Sequence, residues 1–536
     1  MADKQVEHVD MVIVGAGFAG MYMLYGAREA GLSVKCFEAG DGVGGTWYWN
    51  RYPGARVDIE CLEYSYSFSE DLQNEWNWTE RYAGQPELLD YANHVADRYN
   101  MRDDITFETR VVSTIFDKDS QRWTVKTDGG HTVSAKFCIM ATGLISAPVD
   151  PDFEGLENFA GEQYMTSRWP KGDLNFSGKR VGVVGTGSSG IQVVSEVAKD
   201  VGELFVFQRT PAYTIPLQNH KADPDQTAKI KGKYSELREL EGQSFGGFTM
   251  MHSDLSPLPS KSALEVSVEE REAEYEDRWA SGGLSPYYAY TDTVLDEESN
   301  NTLGEFAIKK MKERVNDPEI ADKLTPDYAI LTRRLSPETN YLETFNQDNV
   351  NLVDLRETPL ERFTENGIVV GGEEIELDVV IFATGFDVMT GAMDRIDIRG
   401  RDGQTLKDRW SNGLTSYLGM MTHGFPNYFW VNGPHSPFYN PILLAEYQGD
   451  MIFDAAKQLD AMGKSCVEAK PESETAYVDL TNAIADMTLF PKSNNYYMGD
   501  NMPGKPRKVL FFFGGFVAYK EQCVEGYTDL KGFLVS

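Results

Sequence analysis

Apolar runs mark this chain at four places, and each runs straight into glycine or small residues. Met11-Val12-Ile13-Val14 leads into Gly15-Ala16-Gly17-Phe18-Ala19-Gly20 and then into a helical pattern from Met21 to Ala30. Val181-Gly182-Val183-Val184 leads into Gly185-Thr186-Gly187-Ser188-Ser189-Gly190 and a helical pattern from Ile191 to Ala198. Phe137-Cys138-Ile139-Met140 and Val379-Val380-Ile381-Phe382 each end in Ala-Thr-Gly. A short unbroken apolar run bounded by a turn signal reads as a strand of a parallel sheet buried on both faces. Strand, glycine turn and helix occurring twice predict an α/β chain with two Rossmann-like dinucleotide-binding domains.

In each G-x-G-x-x-G the first glycine makes the strand-to-helix turn, the second lets backbone approach a pyrophosphate, and the third lets helix and strand pack closely. The anion then sits on a helix N-terminus. The residue closing the next strand separates the two sites. Glu38, after Ser33-Val34-Lys35-Cys36-Phe37, offers a carboxylate to both ribose hydroxyls, as an FAD or NAD adenosine site requires. Arg209-Thr210, after Leu204-Phe205-Val206-Phe207-Gln208, offers a cation and a hydroxyl, which suit a 2′-phosphate. The reading is FAD at the first cradle and NADPH at the second, with the loop residues Thr186, Gly187, Ser188 and Ser189 against the nucleotide.

The two apolar strands ending in Ala-Thr-Gly divide the chain. Residues 1–143 and 386–536 are expected to form the FAD-binding domain, and 150–217 with 326–385 the NADPH-binding domain. Residues 218–325 change character to charged helices such as Ser235-Glu236-Leu237-Arg238-Glu239-Leu240-Glu241, and are expected to form a helical insertion over a cleft. The chain thus crosses between domains twice.

At 536 residues there is length for full cores, and 41% hydrophobic with 12% aromatic residues suits a globular enzyme. A net charge of −33 argues against nucleic acid or an anionic membrane as partner. The five cysteines (Cys36, Cys61, Cys138, Cys466, Cys523) are scattered with no CxxC, so neither a disulfide framework nor zinc is indicated and a cytoplasmic setting is expected. The start, Met1-Ala2-Asp3-Lys4-Gln5, has no apolar leader, and no stretch is long enough to span a bilayer. A monomer is compatible with all of this. None of the seven histidines has neighbours suggesting a triad or a metal site.

Gly44-Gly45-Thr46-Trp47-Tyr48-Trp49-Asn50-Arg51-Tyr52-Pro53-Gly54-Ala55-Arg56-Val57-Asp58 is the most specific stretch of the chain. With Glu75 to Tyr82, Asn340 to Asn346 and Pro503-Gly504-Lys505-Pro506-Arg507, it resembles the flavin-dependent Baeyer-Villiger monooxygenases over nearly the whole length. Two departures stand out. The family fingerprint FxGxxxHxxxWP is present from Phe159 to Pro170 with Met165 in the histidine place, which puts coupling of NADPH use to oxygenation in question. Where relatives have Ser-Trp-Tyr, this chain has Asn495-Tyr496-Tyr497, and Tyr496 lacks an indole N–H.

The resemblance implies an enzyme that uses NADPH and O₂ to turn small-molecule ketones into esters or lactones. A flavin C4a-peroxide attacks the carbonyl, and a cation stabilises the peroxide and the tetrahedral adduct. Arg334 stands in the place of that cation, with Asp58 to orient it. It also implies that Gly45, Thr46, Trp47, Tyr52 and Asp58 run along the flavin. Arg333 becomes a second phosphate-side cation with Arg209. Asp387 either approaches the flavin or caps a helix, and Tyr496 borders the cofactors. Phe438, Tyr439 and His435 line the ketone pocket or, equally, belong to the core. The alternatives are a sulfur- or nitrogen-oxygenating relative and a partly uncoupled NADPH oxidase, both kept open by Met165.

Overall fold

The computed structural model describes residues 6–500, 502 and 504–536. The reading of Met1 to Gln5, and Pro503 of the Pro503–Arg507 motif, lie outside the described residues. Two parallel-strand sheets organise the chain. The first has eight strands, with Thr132–Met140, Glu7–Val14, Val34–Phe37 and Ile105–Thr106 running parallel out to one edge. Val111–Asp117 and Arg122–Thr127 extend it as an antiparallel meander, and Asp397–Arg399 closes that edge. Tyr428–Trp430, more than 280 residues downstream of Thr132–Met140, returns to pair with Cys138 to Met140. The second sheet is wholly parallel, in the order Val350–Asp354, Glu203–Gln208, Arg180–Val184, Val379–Phe382, Glu162–Met165. The stretches 181–184 and Val379–Phe382 within it are buried, as unbroken apolar runs demand.

The apolar runs pass into their helices as the glycine spacing requires. Phe18–Glu29 follows the first and Ser188–Val197 the second. A Cβ on Gly20 would lie 1.8 Å from the Gly15 carbonyl oxygen, and one on Gly190 would lie 2.0 Å from that of Gly185. Only glycine lets helix and turn close to this distance, and the two units solve the problem identically.

Between the sheets the chain crosses at 143–149 and 384–389, and these segments are stitched side by side. The Val149 amide donates to Gly385, Asp387 to Ala147 and Met389 to Leu144. The Thr384 hydroxyl adds a bond to the Val149 carbonyl at 2.8 Å. The section from 218 to 325 carries the helices Pro224–Lys231, Tyr234–Glu241, Val268–Ser281, Glu297–Lys312 and Pro318–Lys323. Asp223, Ser267, Asp296 and Asp317 cap four of them with side-chain oxygens on the first-turn amides.

The helices of this section are not merely a solvated charged surface. Half-buried Arg238 donates to the carbonyls of Leu62, Glu63 and Ser65 and pairs with fully buried Glu241. Glu63 accepts from both the amide and the hydroxyl of Thr249. Glu60 is bound by Arg81 on one oxygen and by the His252 ring on the other, at 2.5 Å. Buried charge is tolerable only when paired in this way. The result fastens the section onto residues 60–66, just beyond Asp58. All five cysteines are buried and free. Among the described residues no helix is long and apolar enough to cross a membrane, and no acid, histidine and cysteine group could hold a metal ion.

Candidate active site

Each cradle presents chemistry that suits a dinucleotide. Gly15 and Gly185 take φ of +104° and +108°, the turn that aims the following amides at one point. Glu38 is buried, and its two oxygens accept the amides of Ala16 at 2.8 Å and Gly40 at 2.7 Å. Each carboxylate oxygen keeps a further lone pair, so two ribose hydroxyls can still be accepted. A Cβ on Gly45, at φ +54°, would lie 2.9 Å from the Gly17 Cα, so the loop that begins the Gly44–Asp58 stretch lies on the first cradle. Thr46 starts a single helical turn there, and buried Trp47 donates its indole N–H to the Tyr64 hydroxyl at 3.2 Å.

In the second cradle a Cβ on Gly187 would meet nothing within 4 Å, leaving open space where a pyrophosphate belongs. The Thr186 hydroxyl ties the turn to the Thr210 carbonyl at 3.0 Å, and Ser188 reaches Ser336. Arg209 is exposed, and neither it nor Arg333 pairs with a carboxylate among the described residues. In a chain with 83 acidic and 50 basic side chains, two arginines without a carboxylate partner are available to an anion.

Arg334 and Asp58, 276 residues apart, meet as a two-pronged ion pair. Nε donates to one Asp58 oxygen at 2.8 Å and Nη2 to the other at 2.7 Å. Nη1 has no hydrogen-bond acceptor among the described residues. Leu331, at φ +69°, makes the left-handed turn that precedes fully buried Thr332 and the two half-buried arginines Arg333 and Arg334. Burial works against the Arg334 charge. Asp58 and the phenols of Tyr496, Tyr497 and Tyr287 more than offset it and raise the guanidinium above its ordinary range, so it is charged at any working pH.

An aromatic wall surrounds this cation. The Phe438 ring lies 5.8 Å from the guanidinium carbon. Tyr287 and Tyr497 stand 6.0 Å and 5.7 Å from Phe438, and Tyr496 lies against Tyr497 at 4.2 Å. Burial raises the Tyr496 phenol, with Arg334 opposing it, so Tyr496 faces the cation as a neutral hydroxyl.

Three positions stand between two readings each, and their contacts are specific. Tyr439 does not share these neighbours: its ring stacks on Phe516 at 4.0 Å and its hydroxyl donates to the Glu241 carbonyl. His435 is 2% exposed, with Nδ1 at 3.0 Å from the Ser416 hydroxyl and Nε2 at 3.1 Å from the Val509 carbonyl. Burial lowers it to about 4, and no ring nitrogen is left for a ligand. Asp387 caps no helix: Lys505 grips both its oxygens at 2.9 and 2.7 Å and reaches Asp394 as well. Lys505 thereby ties down the second crossing itself.

Sequence reasoning passed over Tyr287, Tyr497, Tyr64 and Gln192. Tyr287 comes from the helical section, and only the tertiary fold brings it beside Arg334. Gln192 sits one turn into the helix Ser188–Val197, where it accepts from the Tyr52 hydroxyl at 2.7 Å and donates to the Arg56 carbonyl at 3.0 Å.

Residues 8–231 match the family model described as flavin-binding monooxygenase-like. The acetone monooxygenase (methyl acetate-forming) of Gordonia sp. strain TY-5 is 43% identical, over 98% of this chain and 99% of that protein. A Baeyer-Villiger monooxygenase of Pseudooceanicola batsensis is 40% identical, over 97% of this chain and 96% of that one. A solved oxidised steroid monooxygenase bound to NADP superposes with a TM-score of 0.93 at 46% identity, covering 98% of this chain and 99% of its own.

Proposed function

Because the chain belongs to the flavin-dependent Baeyer-Villiger monooxygenases, we propose that the Asp58–Arg334 pair, with one guanidinium nitrogen left free, is the element that carries its reaction. The enzyme uses FAD and NADPH to oxygenate ketones with O₂, giving esters or lactones. Bound FAD, once reduced by NADPH, supplies the activated oxygen. The remaining tasks fall to the protein.

Asp58 fixes two of the three nitrogens of Arg334, so the third points one way and pays no reorganisation when negative charge develops on oxygen at the carbonyl. Phe438, Tyr497 and Tyr287 form an aromatic wall beside the guanidinium, which lowers the local dielectric, strengthens the interaction and works against loss of the activated oxygen as hydrogen peroxide. Glu38 holds the ribose of FAD, and Arg209 with Arg333 holds the 2′-phosphate that marks NADPH. Trp47 and Tyr52, on the loop over the first cradle, position the flavin side of the site. A small ketone is the substrate class, and the protein acts as a cytoplasmic monomer.

The test is direct. Purified protein loaded with FAD is given NADPH and O₂ with a panel of linear, cyclic and aryl ketones and of thioethers, and ester, sulfoxide and hydrogen peroxide are measured together. Ester or lactone as the main product from at least one ketone class is expected. Sulfoxide or peroxide alone across the panel would overturn the proposal.

A further inference from the structure

We infer that Tyr328 is a positioning residue for the 2′-phosphate of NADPH, holding Arg333 on its ring face in place of a carboxylate. The inference rests on the reading of Arg333 as a phosphate-side cation. The guanidinium carbon of Arg333 lies 4.6 Å from the Tyr328 ring centroid. Its Nε is buried without a hydrogen-bond partner, and no carboxylate pairs with the side chain among the described residues.

The choice of partner decides what the cation can do. An acidic residue would hold Arg333 and cancel its charge. An aromatic face attracts the cation through the ring quadrupole but leaves the charge whole and the N–H donors unspent. Burial pushes the Tyr328 phenol up to about 12, so it does not become an anion competing with the phosphate.

The same residue also reaches the other half of the site. Its hydroxyl accepts the Tyr213 amide at 3.2 Å, and the two rings meet edge to face at 5.4 Å. Tyr213 lies three residues after Thr210, and its carbonyl accepts from Ser336, three residues after Arg333. The strands Thr214–Pro216 and Ser336–Glu338 then run on in parallel. One phenol therefore joins the segment leaving Arg209 to the segment entering Arg333, and sets the relation between the two cations.

The experiment uses full-length, FAD-loaded protein and titrates 2′,5′-ADP against 5′-ADP by calorimetry, alongside steady-state kinetics with NADPH and NADH. Tyr328→Leu, which removes the face and the hydroxyl, is expected to weaken 2′,5′-ADP about tenfold, with 5′-ADP binding, NADH efficiency and kcat with NADPH unchanged. Tyr328→Phe, which keeps the face, is expected to stay within about threefold of wild type. Tyr328→Met gives the same test should the leucine variant not fold. Wild-type 2′,5′-ADP affinity in the leucine or methionine variant, with a loss in Arg333→Ala, overturns the role of Tyr328 alone. A phenylalanine variant as weak as the leucine variant overturns the ring-face argument in favour of the hydroxyl. No loss in Arg333→Ala overturns both this inference and the reading beneath it.

Discussion

The Tyr52 hydroxyl donates to Oε1 of Gln192 at 2.7 Å, and that bond links the loop over the first cradle to the helix that begins at the second. The amide nitrogen of the same glutamine donates to the Arg56 carbonyl at 3.0 Å. Asp58 follows two residues later and grips Arg334. The position of Arg334 is thus referred to the second nucleotide cradle through a chain of contacts, not only to the sheet that bears the first. Arg56 strengthens the link by pairing with Glu80 and the Tyr82 carbonyl.

Gln192→Leu keeps the volume and removes both bonds. Each is worth on the order of 1 kcal/mol net, enough to loosen the loop without unfolding it. FAD content and thermal midpoint are expected to stay near wild type, while the fraction of NADPH ending as hydrogen peroxide rises several-fold. Peroxide and ester measured in one reaction decide this. An unchanged ratio would mean that the backbone alone positions Asp58.

Arg334→Ala is expected to abolish ester formation while leaving FAD bound and reducible by NADPH. Loss of a preorganised donor where charge develops costs about 3–4 kcal/mol, or two to three decades in rate. Arg334→Lys restores charge but not the fork to Asp58, and is expected to recover only a small part. Retention of most ester formation in the alanine variant would remove Arg334 from the chemistry.

Arg209→Ala addresses the nucleotide instead. Its charge-assisted contact to the 2′-phosphate is worth about 1.5–3 kcal/mol, one to two decades in NADPH affinity. The efficiency with NADPH is expected to fall by that amount and the efficiency with NADH to hold. If the ratio of the two does not move, Arg333 alone sets the preference.

Much of this architecture was legible because its determinants are local. The apolar runs, the glycine turns and the residues closing the next strands each lie within one strand-turn-helix unit, and pattern alone finds them. The pairing of Asp58 with Arg334 spans 276 residues, and no periodicity joins them; only the resemblance of two separate motifs did. The wall around Arg334 was less legible. Tyr287 arrives from the charged section expected as an insertion over a cleft, where no pattern marks which side chains turn inward, as Glu241 does to pair with Arg238. His435 shows the limit from the other side. A histidine in a Gly-Pro-His-Ser-Pro loop can face a pocket or fold beneath it, and the choice is made by Ser416 and the Val509 carbonyl, which sequence order does not bring near.

Burial raises the Glu446 carboxyl to about 7, against the bonds it accepts from Ser67 and Phe68 and the nearby Arg238 charge. A folded-state value above the ordinary carboxylate range means the native state holds the proton more tightly. The contribution to stability is full below about pH 4.5 and is lost as pH rises towards 7. Every tenfold gain in proton affinity on folding is worth about 1.4 kcal/mol. Glu446→Gln has no proton to lose, so its thermal midpoint relative to wild type is expected to climb as pH goes from 5 to 8. A pH-independent difference would show that Glu446 is ionised throughout.

Met165 ends the edge strand Glu162–Met165, level with Phe382 on the strand that leads into the second crossing. Its neighbour Thr166 donates to the Phe382 carbonyl, and the crossing segments are stitched together immediately beyond. A histidine here would carry a ring N–H donor. Methionine offers none, and instead packs half-buried against the apolar cluster around Phe382. Met165→His is therefore expected to lower the peroxide released per NADPH consumed without changing which ketones are accepted, since no pocket residue is touched. The measurement is NADPH consumed, peroxide released and ester formed in one reaction, for wild type and variant. Equal coupling in the two proteins would show that the stitched crossing segments already supply the restraint, through Thr384 and the Val149 and Ala147 carbonyls, and that the position no longer bears on coupling.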